Sequence, residues 1–395
     1  MREVVIVAGA RSAVGAFGKS LRDVPATELG RQVLEGLMEK SGFSKQEVNE
    51  VIFGNGYVHG GGLNAARISS QLAGFPRQVY GHVVIKACGS GLKAITSGAL
   101  AIMAGQEDVV VAGGVENMSN VPYLVKNRWG SKFGNLTMED ALLADGLICS
   151  LEGEHMGITA ERLALQYGIS REEQDQFAFD SHKKAAAAIA AGKFASEIVP
   201  IAIKERKGTR VFDQDESVRA DINLDDLAKL KSVFQKDGTV TAGNACPMND
   251  GAAAVLMMSR EKAEEAGLKP LVKIKAFASA GVEPGVMGIG PVPATQKALE
   301  KAGLTLDDIG LIELNEAFAA QALSVIKGLE LDPAKVNVNG GAIALGHPVG
   351  ATGAKLTVTL MNEMVRSRVK YGMVTLCMAG GMGLSVIYEN MTLSS

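Results

Sequence analysis

An internal duplication is the sequence feature that most constrains the fold of this chain. EVNEVIFGNG is followed about thirty residues later by HVVIKACGSGLKAITSGALAIMAGQEDVVVAGGVEN. In the second half, LDDIGLIELNEA is followed by KVNVNGGAIALGHPVGATGAKLTVTLMNEMVRSRVKYGMVTLCMAGGMG. Both stretches have the order strand, Gly-rich turn, small-residue helix, strand and Gly-rich turn. Because internal repeats determine architecture, we expect two related α/β halves packed together.

Short β-branched runs that alternate with helical patterns are typical of a mostly parallel sheet flanked by helices. In the N-terminal half these runs cover residues 4–9, 50–55, 82–87 and 108–114. Two sequences, Ser44-Lys-Gln-Glu47 and Ser170-Arg-Glu-Glu173, have the pattern of a capping box. Each of them predicts the start of a helix.

The middle of the chain has a different composition, which predicts an insertion between the halves. It contains Trp129, several Met and a charge-rich stretch, but few strand patterns. A long excursion from a rigid scaffold is where substrate contacts are expected. We therefore predict an N-terminal half, an inserted loop domain, a return to the N-terminal half and a C-terminal half, with the boundaries 1–118, 119–248, 249–271 and 272–395.

Charge and cysteine usage exclude several classes of protein. The net charge of −3 and the pI near 6.1 argue against a nucleic-acid or membrane-surface protein, which would carry a basic excess. The sequence has no pattern of a signal peptide or membrane span. Its four cysteines are far apart, and neither a zinc site nor a secreted disulfide framework is indicated. These features predict a soluble protein of a reducing compartment, the cytoplasm.

Three side chains with reactive groups follow predicted strands. Cys88 comes between the strand HVVIKA and a helix, and His347 occupies the corresponding turn of the second half. Cys377 follows the strand YGMVTL. The carboxyl ends of strands are where ligands bind in open α/β sheets, and a helix N-terminus favours a thiolate. Each residue alone is best explained by packing, but three at equivalent edges favour a catalytic site.

The motifs of the whole chain together resemble the thiolase family, close to its acetyl-CoA acetyltransferase branch. The resemblance extends from VVIVAGARSAVGAFG to GGMGLSVIYE. It is carried by CGSGLKA (88–94), AGGVENMS (112–119), HMGITAE (155–161), GTVTAGNA (238–245), NDGAAA (249–254), NEAFAAQ (315–321), NVNGGAIALGHPVGATGA (337–354) and CMAGGMG (377–383). It implies a five-layered αβαβα architecture with an inserted loop domain, and a homo-oligomer, with a tetramer expected.

The resemblance also implies the reaction and the role of each catalytic residue. Cys88 would take the acyl group as a thioester, and His347 would deprotonate Cys88 and later help bind the thioester oxygen. Cys377 would act as the general acid and base on the α-carbon of a second acetyl-CoA. Asn315 would hold a water that forms one oxyanion hole with His347. The backbone N–H groups of Cys88 and Ala379 would form the other.

The implied reaction is the reversible condensation of two acetyl-CoA molecules to acetoacetyl-CoA and CoA. Since a thioester is already activated at its carbonyl and α-carbon, neither a metal nor an organic cofactor is expected. The resemblance assigns CoA contacts to the loop domain and its surroundings, namely Leu147, His155, Met156, Arg219, Phe234, Ala242, Cys246, Met287 and Phe318. Ordinary packing explains Met156, Phe234 and Met287 equally well. Arg219 suits the nucleotide end because a guanidinium binds phosphate.

Several positions depart from the family pattern. Ile85 stands where thiolases usually carry Asn, and Cys246 replaces a Ser that contacts the pantetheine arm. Ala379 replaces a Gly, which would misplace an oxyanion-hole N–H if the position needs a positive φ. His59 lies in an atypical GYVHGGG stretch and is expected to be a surface loop residue, although a supporting role near the site stays open.

Two other functions compete with a thiolase. A β-ketoacyl synthase also uses a cysteine nucleophile, but pairs it with His/His or His/Asn rather than a second cysteine such as Cys377. A non-catalytic acyl-CoA binder would tolerate the departures, but it would not need to keep Cys88, Asn315, His347 and Cys377 together. We also expect the sulfurs of Cys88 and Cys377 to be near enough for an oxidant to join them.

Overall fold

A mixed β-sheet with helices on its faces forms the framework of the computed structural model, which describes residues 2–393. Met1, Ser394 and Ser395, the ends of the first and last expected segments, lie outside the described residues. The strands are β1 (Val4–Ser12), β2 (Gly15–Ala16), β3 (Glu50–Gly54), β4 (Tyr80–Val84), β5 (Val109–Asn117), β6 (Tyr123–Leu124), β7 (Glu139–Asp140), β8 (Ile148–Cys149), β9 (Glu154–His155), β10 (Ile198–Val199), β11 (Ile201–Glu205), β12 (Gly208–Phe212), β13 (Asn249–Ser259), β14 (Val272–Gly281), β15 (Leu311–Leu314), β16 (Tyr371–Met378) and β17 (Met382–Asn390).

The helices include two long ones that begin just after the predicted reactive turns. They are α1 (Ala26–Ser41), α2 (Ala65–Leu72), α3 (Ser90–Met103), α4 (Met156–Gln166), α5 (Arg171–Ala190), α6 (Leu224–Ala228), α7 (Arg260–Glu265), α8 (Pro291–Ala302), α9 (Ala319–Leu329), α10 (Ala342–Leu345) and α11 (Thr352–Ser367). Short 3-10 helices cover Lys45–Glu47, Met118–Asn120, Pro284–Ile289 and Pro333–Lys335, and a π-helical turn covers Leu143–Leu147. No helix within residues 2–393 has the length and apolar character that a bilayer span requires.

The large sheet contains both halves of the duplication. Its strand order is β15-β16-β17-β14-β1-β13-β5-β3-β4, with β10 beside β1 and β2 beside β13. The N-terminal half has the order β4-β3-β5-β13-β1, and the C-terminal half repeats it as β15-β16-β17-β14. The equivalent of β4 is a single parallel bridge between Ile312 and Val336. The duplication predicted from the sequence is therefore present in the strand order.

The prediction of a mostly parallel sheet is wrong. Strands β3, β4 and β5 are parallel, as are β15 and β16, but β13 and β17 run antiparallel to their neighbours. In the C-terminal half, the antiparallel direction of β17 follows from its connection to β16, which consists of residues 379–381. A connection this short can only form a hairpin.

Five layers are defined by the hydrophobic clusters. Helix α1 packs on one face of the N-terminal strands, and α8 and α9 pack on the outer face of the C-terminal strands. Between them, α3 and α11 contact each other and share one core with strands of both halves. This order of helix, sheet, helix, sheet and helix layers confirms the predicted αβαβα architecture.

Of the two predicted capping boxes, one is confirmed and one is wrong. The Ser170 side chain accepts the backbone N–H of Glu173 at the start of α5, and the Glu173 carboxylate accepts the N–H of Ser170. Ser44 instead begins only the 3-10 helix Lys45–Glu47 and accepts the N–H of Gln46. The chain then becomes extended at once to enter β3, which leaves no room for an α-helix.

Candidate active site

A strained turn between β4 and α3 holds Cys88. Ala87, directly before it, has a φ of 46°, and a left-handed backbone costs a residue with a side chain roughly 1–2 kcal/mol. The Ser90 hydroxyl stabilises the turn, since it accepts the N–H of Lys86 at 2.8 Å and donates to the carbonyl of Ala87 at 2.6 Å. Strain of this kind is kept at functional sites when the surroundings enforce it.

His347 occupies the equivalent turn before α11. Its backbone N–H donates to Oδ1 of Asn249, 2.8 Å away. Ring atom Nδ1 lies 2.6 Å from the hydroxyl oxygen of Thr352, whereas the buried Nε2 has no hydrogen-bond partner among residues 2–393. The two related turns therefore supply a thiol from one half and an imidazole from the other.

The hairpin between β16 and β17 contributes Cys377 and Ala379. Cys377 is completely buried near the end of β16, opposite Gly383. The backbone N–H of Ala379 interacts with the sulfur of Cys88, as does the N–H of Cys88 itself. Ala379 is not among the residues with a positive φ, so the replacement of Gly by Ala introduces no backbone strain here.

Asn315 follows β15 and is completely buried. Its backbone N–H donates to the carbonyl of Thr375, while Oδ1 and Nδ2 of its side chain have no partner among the described residues. A buried amide without partners is unusual because its desolvation costs about 1–3 kcal/mol. The side chain retains its full capacity to hold a water or a substrate oxygen.

Burial controls the protonation of the reactive groups. It raises the pKa of the Cys88 thiol to about 11, against a smaller lowering by the N–H groups of Ala379 and Cys88. Burial and the positive charge of Lys355 lower the pKa of His347 to about 3. Burial also raises the pKa of Cys377 well above that of an ordinary thiol. Burial therefore outweighs the lowering by nearby N–H groups at Cys88, and the resting site holds neutral thiols and a neutral imidazole.

A largely apolar cavity of about 730 Å³ opens onto Cys88, His347 and Ala379. It is also lined by eight of the nine predicted CoA contacts, namely Leu147, His155, Met156, Phe234, Ala242, Cys246, Met287 and Phe318. The rings of His155 and Phe234 stack with centroids 4.5 Å apart, and Phe318 meets Phe234 edge-on at 6.0 Å. Arg219 does not line this cavity; it is exposed and donates its backbone N–H to Nδ1 of His182.

The other departures from the family pattern also lie at this cavity. Ile85 lines it with 61% of its surface exposed, and Cys246 lines it beside Pro247. His59 is a loop residue, and its Nε2 lies 2.7 Å from the carboxylate of Asp145, which belongs to the cavity wall. Cys88 and Cys377 are both free thiols in this structure.

Three polar residues around the site were not singled out from the sequence. The buried carboxylate of Glu116 accepts hydrogen bonds from Asn55 and from three backbone N–H groups, one of them that of Gly350. Thr352 contacts the ring of His347, and the Lys355 ammonium donates to the carbonyl of Gly346. Glu116 lies near the end of the apolar strand β5, and Thr352 and Lys355 lie in helix α11. A polar residue in an otherwise apolar element was therefore the available signal.

Comparison with known proteins places the chain in a family. The model of the thiolase N-terminal domain matches residues 4–261, and that of the thiolase C-terminal domain matches residues 268–390. The acetyl-CoA acetyltransferase of Chromobacterium violaceum is 52% identical over 389 residues, which cover 98% of this chain and 99% of that protein. The acetyl-CoA acetyltransferase of Escherichia coli is 51% identical over 393 residues, which cover 99% of this chain and 100% of that protein.

Solved structures agree with the sequence matches. The crystal structure of the Bacillus anthracis acetyl-CoA acetyltransferase has a TM-score of 0.97 and 47% identity, and 99% of each chain is covered. Human mitochondrial 3-ketoacyl-CoA thiolase has a TM-score of 0.96 and 41% identity, over 98% of this chain and 99% of that one. Both family models, the near-complete coverage and the shared fold decide against the synthase alternative. The chain belongs to the thiolase family.

Proposed function

We propose that this protein catalyses the reversible Claisen condensation of two acetyl-CoA molecules to acetoacetyl-CoA and CoA. One observation carries the proposal. The sulfur of Cys88 lies near the N–H groups of Cys88 and Ala379, in a cavity that His347 also lines, and Nε2 of His347 has no hydrogen-bond partner among residues 2–393. This combination supplies a nucleophile, a base and donors for a developing oxyanion. The activated thioester needs no further cofactor, so thiolysis should survive treatment with EDTA.

The first half-reaction transfers an acetyl group to Cys88. His347 Nε2 takes the proton of the thiol as the sulfur attacks the carbonyl carbon of acetyl-CoA. The N–H groups of Cys88 and Ala379 stabilise the oxyanion, and each well-placed donor is typically worth about 3–4 kcal/mol of barrier. The bond between carbonyl carbon and CoA sulfur then breaks. Cys377, a neutral thiol, donates its proton to the departing CoA thiolate.

The second half-reaction forms the carbon–carbon bond. The Cys377 thiolate takes an α-proton from a second acetyl-CoA, and the resulting carbanion attacks the carbonyl carbon of acetyl-Cys88. The side chain of Asn315, through a water, and the protonated His347 stabilise the enolate oxygen. Release of acetoacetyl-CoA breaks the bond to Cys88, whose sulfur recovers its proton from His347. All three groups return to their starting protonation states.

The cavity is well suited to the pantetheine arm of CoA because apolar walls with few polar groups bind flexible chains by burial. We assign the contact with the pantetheine arm to His155, Met156 and Phe234. The other predicted CoA contacts that line the cavity would complete its wall, namely Leu147, Ala242, Cys246, Met287 and Phe318. Arg219 is exposed and lies outside the cavity lining. Its contact with the nucleotide of CoA therefore stays a prediction. The preferred chain length is to be measured by comparing the thiolysis rates of acetoacetyl-CoA and of 3-ketoacyl-CoA substrates with longer acyl chains.

The first test is thiolysis of acetoacetyl-CoA by free CoA, followed by the loss of enolate absorbance, in the parent protein and in Cys88→Ala. We expect turnover in the parent and none in the variant. Peptide mass spectrometry after incubation with acetyl-CoA should find the acetyl group on Cys88, with the other three cysteines as internal controls. A parent that binds CoA but turns over neither acetoacetyl-CoA nor longer 3-ketoacyl-CoA would indicate a non-catalytic binder.

We further propose a cytoplasmic homotetramer. Four free cysteines agree with a reducing compartment. Large apolar side chains are exposed between residues 123 and 138, among them Trp129 and Phe133, each with 94% of its surface exposed. The concentration of exposed apolar side chains in one segment favours a protein interface there. Light scattering should give the mass of a tetramer for the parent and a smaller mass for a Trp129→Asp/Phe133→Asp double variant; equal masses would contradict this assignment.

A further inference from the structure

The proposed reaction requires His347 to present an unprotonated Nε2 towards Cys88. A neutral imidazole carries one proton, and either ring nitrogen can hold it. We propose that Thr352 is a positioning residue that keeps this proton on Nδ1 and so makes Nε2 the base. The inference rests on the proposed function, but the protonation of the ring can be measured without any turnover.

The contacts of the Thr352 hydroxyl determine where the ring proton lies. Its oxygen is 2.9 Å from the carbonyl oxygen of Pro348 and 2.6 Å from Nδ1 of His347. The carbonyl of Pro348 also accepts the N–H groups of Ala351 and Thr352. A carbonyl oxygen only accepts, so we infer that the hydroxyl proton points to Pro348, since a proton turned away would leave two oxygens 2.9 Å apart with no proton between them. The hydroxyl can then only accept from Nδ1, which must carry the ring proton.

The other ring nitrogen is left free for chemistry. Nε2 of His347 is buried and has no partner among residues 2–393, and the ring lines the cavity that contains Cys88. Asn249 fixes the backbone beneath the ring, because its Oδ1 accepts the His347 N–H while its Nδ2 donates to the carbonyl of Gly15. The orientation of the imidazole is therefore determined at the backbone and at Nδ1.

The surroundings also keep the ring neutral. Lys355, one turn along α11, places an ammonium group 2.9 Å from the carbonyl of Gly346, next to His347. The thiols of Cys88 and Cys246 line the same cavity and are protonated at neutral pH, because burial raises the pKa of Cys88 to about 11 and lifts that of Cys246 well above its usual value. Because the pKa of His347 is lowered to about 3, the tautomer rather than the charge decides whether Nε2 can accept a proton.

One tautomer supports both roles assigned to His347. With its proton on Nδ1, the ring takes the proton of Cys88 at Nε2 and then donates that N–H to an enolate oxygen. Thr352 accepts from Nδ1 in both states, so no group other than the transferred proton has to move. With its proton on Nε2, the ring would face the thiol with a donor and could not act as a base.

The test uses three threonine variants of α11. Thr352→Val keeps the shape but removes the acceptor, and it should lower kcat of thiolysis at least about tenfold, since a general base is typically worth about 10²–10⁴-fold. KM for acetoacetyl-CoA should change little. Thr352→Ser should restore most of the activity. Thr357→Val is the matched control, because Thr357 also bonds the carbonyl four residues earlier but contacts Tyr388 instead of the site.

The ring itself is read by ¹⁵N NMR of protein with labelled histidine. The sequence has five histidines, and a His347→Gln variant identifies the signal. We expect a protonated Nδ1 and an unprotonated Nε2 in the parent and in Thr352→Ser, and a mixture of tautomers in Thr352→Val. A proton on Nε2 in the parent, or unchanged kcat in Thr352→Val, would overturn the inference. If instead the parent lacks thiolysis, the proposed function fails, and the NMR result still decides the role of Thr352.

Discussion

At the scale of single residues, Ala379 and Gly380 are neighbours with opposite backbone requirements. Ala379 has no positive φ, whereas Gly380 has a φ of 82°. We expect Ala379→Gly to change kcat less than about threefold, which corresponds to under 1 kcal/mol of barrier. It should lower the free energy of unfolding by about 0.5–1 kcal/mol, because glycine gains freedom in the unfolded chain. Thiolysis rates and urea unfolding of the variant measure both quantities.

Gly380→Ala is the converse variant. A methyl group there would meet only the terminal carbon of Met382, at 3.9 Å, so its effect comes from the backbone rather than from a clash. The left-handed conformation should cost about 1–2 kcal/mol of stability. A turn that relaxes would move the N–H of Ala379 away from Cys88, and loss of one such donor lowers kcat by about 10²–10³-fold. Full activity at full stability would show that this turn does not position the N–H group.

The pH dependence of Cys88 reactivity follows from its burial. A pKa of about 11 leaves the thiol protonated at neutral pH, and the reactive thiolate fraction increases as the pH rises towards that pKa. The rate of Cys88 alkylation by iodoacetamide should therefore increase about tenfold per pH unit between roughly pH 7 and 9. Mass spectrometry of the Cys88 peptide gives this rate for one thiol among four. A plateau beginning near neutral pH would reveal a resting thiolate and contradict the expectation.

The sequence identified the reacting groups better than the groups around them. Cys88 and His347 could be found because each lies at a Gly-rich turn that the duplication relates to the other. Thr352 could not, since its significance depends on which atom of the His347 ring it meets and on a carbonyl from the preceding turn. The raised pKa of Cys88 could not be read from the sequence either, because the sequence shows the adjacent helix end but not the loss of solvent around the sulfur, which has the larger effect.

At the scale of elements, Glu161 joins helix α4 to the segment that carries Ala242. Its carboxylate accepts the N–H and hydroxyl of Thr239 and the N–H of Val240, at 2.8–2.9 Å. Glu161→Gln would place an amide donor against these donors. We expect the free energy of unfolding to fall by about 1–3 kcal/mol. The loss of these hydrogen bonds should also loosen the cavity wall. We expect KM for CoA to rise about threefold to tenfold, because part of the binding free energy is then used to order the wall.

The matched control for Glu161→Gln is Glu264→Gln on α7. Glu264 is exposed and pairs with Arg260, and such surface pairs contribute about 0–1 kcal/mol. Steady-state kinetics and urea unfolding are to be measured on both variants. Equal effects of the two substitutions would mean that the hydrogen bonds of Glu161 do not hold the cavity wall.

Elements were predictable where local signals and the wider fold agreed. The box at Ser170 precedes a long helical pattern and forms as expected. The similar box at Ser44 precedes β3, and the requirement of the sheet for that strand overrides the local preference for a helix. The antiparallel direction of β13 could not be predicted. An apolar run has the same composition whichever way the strand runs, and the long connection that precedes β13 allows either direction.

At the scale of the whole molecule, the two halves meet where glycines let α3 and α11 approach. A methyl group at Gly91 would lie 2.8 Å from the carbonyl oxygen of Gly350, and one at Gly353 would overlap the backbone nitrogen of Leu92. These glycines directly follow the turns that hold Cys88 and His347. The middle layer therefore determines the distance between nucleophile and base as well as the packing of the two halves.

This arrangement makes Gly353→Ala a test of how the halves assemble the site. The added methyl group would push α11 away from α3, and overpacking of this kind typically costs about 1–3 kcal/mol of stability. Because misplacement of a reacting group by about 1 Å can cost roughly 10²-fold, kcat should fall by more than the loss of folded protein explains. The readouts are urea unfolding and thiolysis, with the rate corrected for the folded fraction.

Gly61→Ala is the control for Gly353→Ala, because a methyl group there would be 3.6 Å from the nearest atom, in a surface loop. It should leave both stability and kcat close to those of the parent. If Gly353→Ala lost stability but kept its kcat per folded molecule, the turns of Cys88 and His347 would be positioned independently of the helices that follow them. The packing of the two halves would then stabilise the fold without determining the distance between Cys88 and His347.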